Sequence, residues 1–128
     1  MKTILALLLL FSIPLISVNA QTTVVFNVDM RAAIQDSTFI PDQDYVQIKG
    51  NLYPLGLRSG TRMRDEAPID SVYSVEVRFS RQHSNKRLSF NFEIVKPNNK
   101  LSEQGPRSIL LNDENINIQP LGFNSFAF

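Results

Sequence analysis

The single histidine, His83, stands in the polar run Arg81-Gln82-His83-Ser84-Asn85-Lys86, and no cysteine occurs anywhere in the chain. A hydrolytic triad needs a buried carboxylate to orient the imidazole and a nucleophile on a strained turn. No G-x-S-x-G sequence is present, so His83 reads as a solvent-exposed loop residue. Thiolate zinc sites and cysteine nucleophiles are excluded, and one imidazole cannot build a multi-histidine centre. The acidic pairs Asp42/Asp44 and Asp113/Glu114 do not continue into the alternating oxygen-ligand loop, with its glycine, that calcium requires. Turn chemistry is the better account of them. A glycosidase needs two carboxylates facing each other across a cleft, and nothing nominates such a pair. The expectation is a chain that binds rather than catalyses, with no catalytic residue, no metal and no cofactor.

The residues suited to contacts lie elsewhere. Tyr53, between Leu52 and Pro54, is an exposed-loop aromatic by pattern, equally able to stack on a ligand or to cap a sheet edge. Leu52, Leu55 and Leu57 in the same loop could form an apolar patch for a protein partner, although such residues more often fold a loop onto its own core. Arg58, Arg62 and Arg64, followed by Asp65-Glu66, make a locally basic strip. Arginine forks at that spacing could grip acidic sugars or a partner's carboxylates. A solvated strand face paired across to Glu76 is the favoured reading.

The elements that must position these residues are strands. Residues 22–30 place Val24, Phe26, Val28 and Met30 on one face and Thr23, Val25, Asn27 and Asp29 on the other. Residues 31–37 lose that period and predict a short helical turn, which Pro41 stops by disfavouring α geometry at Ile40. Residues 42–44 form a turn, and a second strand runs over 45–49, with Val46 and Ile48 facing away from Gln47 and Lys49. A short strand over 61–65 puts Met63 inward and Arg62 and Arg64 outward. Residues 72–80 alternate strongly, with Tyr73, Val75, Val77 and Phe79 opposite Ser74, Glu76 and Arg78. Residues 87–95 do the same, with Leu88, Phe90, Phe92 and Ile94 inward and Ser89, Asn91, Glu93 and Val95 outward. The short polar link between these two strands predicts a hairpin. Residues 107–111 and 115–118 complete the set.

The first twenty residues have a different character. Met1-Lys2, an apolar run over 4–16 and the Val18-Asn19-Ala20 ending read as a cleavable signal peptide, with Gln21 the first mature residue. Ser12 and Pro14 interrupt the run and leave it short of the ~20 residues that a spanning helix needs. The product is expected to be secreted or periplasmic, with no membrane span after cleavage. The 13 Lys and Arg stand against 12 Asp and Glu, and losing Lys2 balances them. A neutral domain is ill suited to displacing counterions from nucleic acid, so none is expected as a partner.

In serial order, several blocks resemble the starch- and glycogen-binding β-sandwich modules, of the carbohydrate-binding family 20 type, that occur in secreted Bacteroidetes proteins. These are Val24-Val25-Phe26-Asn27-Val28-Asp29-Met30, Phe39-Ile40-Pro41, Val46-Gln47-Ile48-Lys49-Gly50-Asn51, Tyr73-Ser74-Val75, Leu88-Ser89-Phe90-Asn91-Phe92 and Glu103-Gln104-Gly105-Pro106-Arg107. The resemblance implies an α-glucan ligand held by aromatic stacking. Such modules usually carry one Trp in the loop after the second strand and another before the closing Glu. This chain has Leu57 and Ser102 at about those places and no Trp at all. Tyr53 is left as the one stacking aromatic of the first loop, and Glu103 and Arg107 match positions that close the fold.

The whole reads as all-β. An antiparallel, immunoglobulin-like β-sandwich over 21–118 is preceded by the signal peptide of 1–20 and followed by an apolar tail, 119–128. The candidate ligand-binding residues are Asn51, Tyr53, Leu57, Arg62, Glu103 and Arg107. The expected partner is a polysaccharide, bound weakly for want of indole platforms. The alternative is a module that has lost sugar binding and meets a protein partner through residues 50–58 or the tail, 120–128. In that tail Leu121, Phe123, Phe126 and Phe128 predict either an edge strand on the domain itself or insertion into a partner.

Overall fold

The computed structural model describes residues 21–125; the predicted signal peptide and the last part of the tail, with Phe126 and Phe128, lie outside the described residues. Among the described residues, nine strands and almost no helix make the fold all-β. In chain order they are β1 (Gln21–Asp29), β2 (Tyr45–Gly50), β3 (Thr61–Met63), β4 (Val72–Ser80), β5 (Arg87–Val95), β6 (Lys100–Ser102), β7 (Arg107–Leu110), β8 (Ile116–Asn117) and β9 (Leu121–Gly122). The one α-helix among the described residues, α1 (Arg31–Gln35), follows β1 where the strand period fails. No helix among the described residues is long and apolar enough to cross a membrane.

The strands form two sheets. In the first, β4 pairs with β1, and β8 and β9 lie along the other side of β1. In the second, the order is β3-β2-β5, with β6 and β7 sharing the far side of β5. Alternation in sequence becomes one buried face per strand: Val24, Phe26 and Val28 of β1 are fully enclosed, as are Val46 and Ile48 of β2 and Leu88 and Ile94 of β5. The inner faces meet through aromatic rings, Phe26 of β1 standing edge-on to Phe90 of β5 with centroids 5.0 Å apart. That T-shaped geometry sets a positive ring edge against a negative ring face.

Two expectations change at this level. First, β4 and β5 are not a hairpin. β4 pairs with β1 without a break from Gln21↔Ser80 to Asp29↔Val72, while β5 pairs with β2 from Tyr45↔Val95 to Gly50↔Phe90. The link between them is a 3-10 helix, Arg81–His83, capped by the Ser80 hydroxyl accepting from the Gln82 N–H, and Asn85 then adopts φ 66°. This span carries the chain from one sheet to the other. Its backbone is secured to the end of β7 instead, with Asn85 N–H donating to Leu111 O and Leu111 N–H to Lys86 O. His83 is correspondingly half-buried rather than exposed, and its Nδ1 has no hydrogen-bond partner among the described residues.

Second, the pairing is not wholly antiparallel. Both β8 and β9 run parallel to β1, Val24 opposite Ile116 and Val28 opposite Leu121. The described part of the apolar tail thus does what an edge strand does, with Phe123 packed on the core.

Candidate functional site

The loop between β2 and β3 is built from both of its ends. At its start Gly50 leaves room for Leu55, because a Cβ there would stand 2.8 Å from the Leu55 Cδ1. Leu55 is buried in that seat. Gly50 N–H donates to Gly56 O and Leu55 N–H to Leu52 O, so the backbone closes into a compact turn. Asn51 fastens the turn to β5: its N–H donates to Ser89 O, and its Oδ1 accepts from Ser89 N–H at 2.9 Å. At the far end Gly60 lies so close to Gln47 that an added Cβ would fall 2.2 Å from the Gln47 Cδ. Between these anchors Tyr53 is 81% exposed and Leu57 69% exposed. A rigid base and two projecting apolar side chains are what a contact loop needs, since little conformational entropy is lost when it is covered.

Beside the loop, the outer face of the second sheet carries a row of polar side chains. Arg62 of β3, Gln47 of β2, Glu93 of β5 and Ser102 of β6 are direct cross-strand partners, so they share one face at the strand spacing of about 4.8 Å. Gln47 and Glu93 face away from the core as alternation requires, but neither is solvated. Gln47 Nε2 donates to Glu93 Oε1, the Ser102 hydroxyl donates to Glu93 Oε2, and Lys49 Nζ stands 3.3 Å from Oε1. Burial pushes the Glu93 carboxyl up, and the bonds from Ser102 and Gln47 with the charge of Lys49 outweigh it, so the group lies below its ordinary value. Nothing in the pattern of β2 or β5 distinguishes these two residues from a solvated face, which is why sequence reasoning missed them. Arg62 lies over the ring of Tyr45, 4.6 Å from its centroid, a cation–π contact. Glu76 is paired with Arg78 along its own strand, at 3.7 Å, rather than with the arginines of 58–64.

Arg62 and Tyr45 also line a cavity of about 360 Å³ with Asp44, Asp65, Glu66 and Tyr73. Asp44 at its edge is fully committed, accepting from Lys96 Nζ at 2.7 Å and from the Ile40 N–H at 2.9 Å. Burial raises its pKa, and these donors bring it below the ordinary value. No group of three or more potential ligands stands close enough to hold a metal among the described residues.

Glu103 and Arg107 come together away from this loop. Arg107 forks onto Glu103 through Nε–Oε1 at 2.9 Å and Nη2–Oε2 at 2.5 Å, with the Glu103 side chain fully enclosed. The pairing of β5 changes register between β6, where Glu93 faces Ser102, and β7, where Phe90 faces Arg107. Phe92 in the gap lacks a strand carbonyl for its N–H, and Glu103 Oε1 accepts it at 3.1 Å. Glu103 Oε2 accepts the Asn124 N–H, and Arg107 donates to Gly122 O, so the pair joins the two sheets at β9. Of the six candidate binding residues, Tyr53 and Leu57 are free to meet a ligand on one loop, Asn51 holds that loop in place, and Arg62 flanks it on Tyr45. Glu103 is buried and Arg107 half-buried, paired with each other.

No family model matches the chain, and no curated protein matches it.

Proposed function

We propose that the protein is a secreted or periplasmic, non-catalytic module of the carbohydrate-binding kind, an immunoglobulin-like β-sandwich whose Tyr53 stacks on a sugar ring of an α-glucan. The observation that carries this reading is the 81% exposure of Tyr53 on a loop whose base is fixed at Gly50, Asn51 and Leu55. An aromatic ring held out on a rigid support offers apolar area to sugar C–H faces without much ordering cost. The serial resemblance to starch-binding modules supports the ligand class, and the edge-to-face contact of Phe26 in one sheet with Phe90 in the other supports the sandwich. The buried carboxylates Asp44, Glu93 and Glu103 each serve several donors, which favours binding over acid–base work.

With one platform instead of the usual indoles, affinity is low. Covering one ring face, roughly half of the 150–250 Å² an aromatic can bury, gives about 2–3 kcal/mol at ~25 cal/mol/Å². That corresponds to a dissociation constant on the order of 10 mM.

Native affinity electrophoresis with and without soluble starch tests the proposal. Wild type is retarded, Tyr53→Ala migrates freely with an unchanged melting temperature, and Arg62→Ala loses little. Retardation that survives Tyr53→Ala would move the site elsewhere. Unchanged wild-type mobility across several glucans would favour the second reading, a protein partner at residues 50–58, which the 69% exposure of Leu57 beside Tyr53 supports.

A further inference from the structure

Among the described residues, one long strand edge is left open on the side of β4 away from β1. β4 has β1 as its only strand neighbour, and on its other side an isolated bridge, Arg64↔Ser74, is the sole pairing among the described residues. At that bridge Ser74 N–H donates to Arg64 O and Arg64 N–H donates to Ser74 O, which shows that the backbone groups of Ser74 point to the open side. Alternation along an unbroken strand then turns those of Glu76 and Arg78 the same way, while Val75, Val77 and Phe79 bond to β1. Strand edges are ordinarily blunted by a proline, a bulge, an inward-pointing charge or a covering segment. Past Ser74, β4 has none of the first three: its ladder with β1 is regular to Ser80, and its inward residues there are Val75, Val77 and Phe79.

We propose that this edge pairs with the same edge of a second copy of the chain, antiparallel about a two-fold axis through Val77. The register follows from charge. With Val77 opposite itself, Glu76 of one copy faces Arg78 of the other, and the converse pair forms by symmetry. Each is a pair of residues whose free backbone groups point at one another, so each exchanges both backbone hydrogen bonds. Within a copy Glu76 and Arg78 already stand 3.7 Å apart. The arrangement thus makes a square of alternating charges on the outer face. On the β1 side their neighbours, Val25 and Thr23, are uncharged.

Neighbouring registers are worse. Centring on Glu76 sets like charges opposite and drives Arg78 of the second copy against Ser74, where Arg64 already sits. Centring on Arg78 sets two guanidinium groups face to face. The segment carrying Arg64 is itself held in place, with Asp65 accepting from the N–H groups of Asp70 and Ser71. It therefore acts as a stop that confines pairing to residues 75–80. The contact is isologous, the symmetry by which most homodimers close. Its short length makes the association weak.

Charge reversal tests the register directly, because both residues are exposed and their replacement leaves the core untouched. Sedimentation of the purified protein over a concentration series should show a monomer–dimer equilibrium. Glu76→Arg and Arg78→Glu each oppose like charges in a homodimer and should weaken self-association by about tenfold. An equimolar mixture of the two variants should regain dimer, since each then presents the charge the other lacks. Thermal melts of both variants should match wild type. Val77→Cys gives a chain with one thiol, and the non-hydrogen-bonded position opposite itself brings the Cα atoms to about 4.5 Å, within reach of a disulfide. Oxidation of dilute protein should yield a covalent dimer. Wild type that remains monomeric at every concentration, reversals that leave association intact, or a mixture that fails to recover it would each overturn the proposal.

Discussion

Replacing Glu103 by Ala should cost the domain more than any other exchange of a charged residue. The carboxylate is fully enclosed and accepts from both arms of Arg107, from the Phe92 N–H and from the Asn124 N–H. Its removal deprives a guanidinium with only 12% side-chain exposure, beside the Phe92 ring, of the Glu103 charge. Breaking a buried pair from one side costs about 3–5 kcal/mol. The Phe92 N–H loses its acceptor as well, a penalty of about 1–3 kcal/mol that overlaps with the first. Taking about 4 kcal/mol, a large part of the 5–15 kcal/mol typical of a domain, and a urea slope of ~1.5 kcal/mol/M, the midpoint should fall by roughly 2–3 M. The assay is urea unfolding at pH 7 followed by far-UV circular dichroism. Glu103→Gln should fall between, because an amide oxygen can still accept from Phe92 or Asn124 while the charge is gone. Glu103→Ala and Glu103→Leu with Arg107→Met should differ, the double variant being the more stable because no charge stays buried. A midpoint within about 0.5 M of wild type for Glu103→Ala would refute the reasoning. So would lost starch retardation with unaltered stability, which would return the residue to the binding site.

The core and the buried carboxylates give two further tests. Phe90→Ala and Phe92→Ala should each cost about 3–5 kcal/mol in urea unfolding, since both rings are buried and packed edge to face on one another at 5.7 Å, whereas Asn91→Ala on the opposite face should do little. Equal effects at all three would mean that β5 is out of register by one. Glu93 and Asp44 have lowered pKa values in the folded chain, so their contribution is complete above the ordinary carboxylate range, near pH 4–5, and is lost as pH falls through the folded values. Urea midpoints measured from pH 7 down to 3 should decline on that limb, and Glu93→Gln should flatten it; an unchanged acid limb in that variant would contradict the assignment.

Much of the strand inventory is written in the chain. Period-two alternation over 22–30, 72–80 and 87–95 assigns Phe26, Phe79, Phe90 and Phe92 to the inside, because a strand can present only one face to a core. Gly50, Pro54 and Gly56 mark the loop that carries Tyr53, since these residues interrupt strands wherever they fall. Alternation fixes faces and is silent about partners. Whether 72–80 pairs with 87–95 or with 21–29 depends on how two sheets share one core, and the local pattern is the same in either case. Tertiary structure alone decided that β4 lies on β1 and that β8 and β9 run parallel to it. It also decided the fate of the polar residues. Gln47, Glu93 and Glu103 look like solvated positions in a strand or turn, and they are buried because groups from other segments converge on them: Ser102 donates to Glu93, Asn124 donates to Glu103, and Gly60 packs close against the Gln47 side chain. A side chain's exposure is set by what the rest of the chain places over it, and that information does not reside in its neighbours along the sequence.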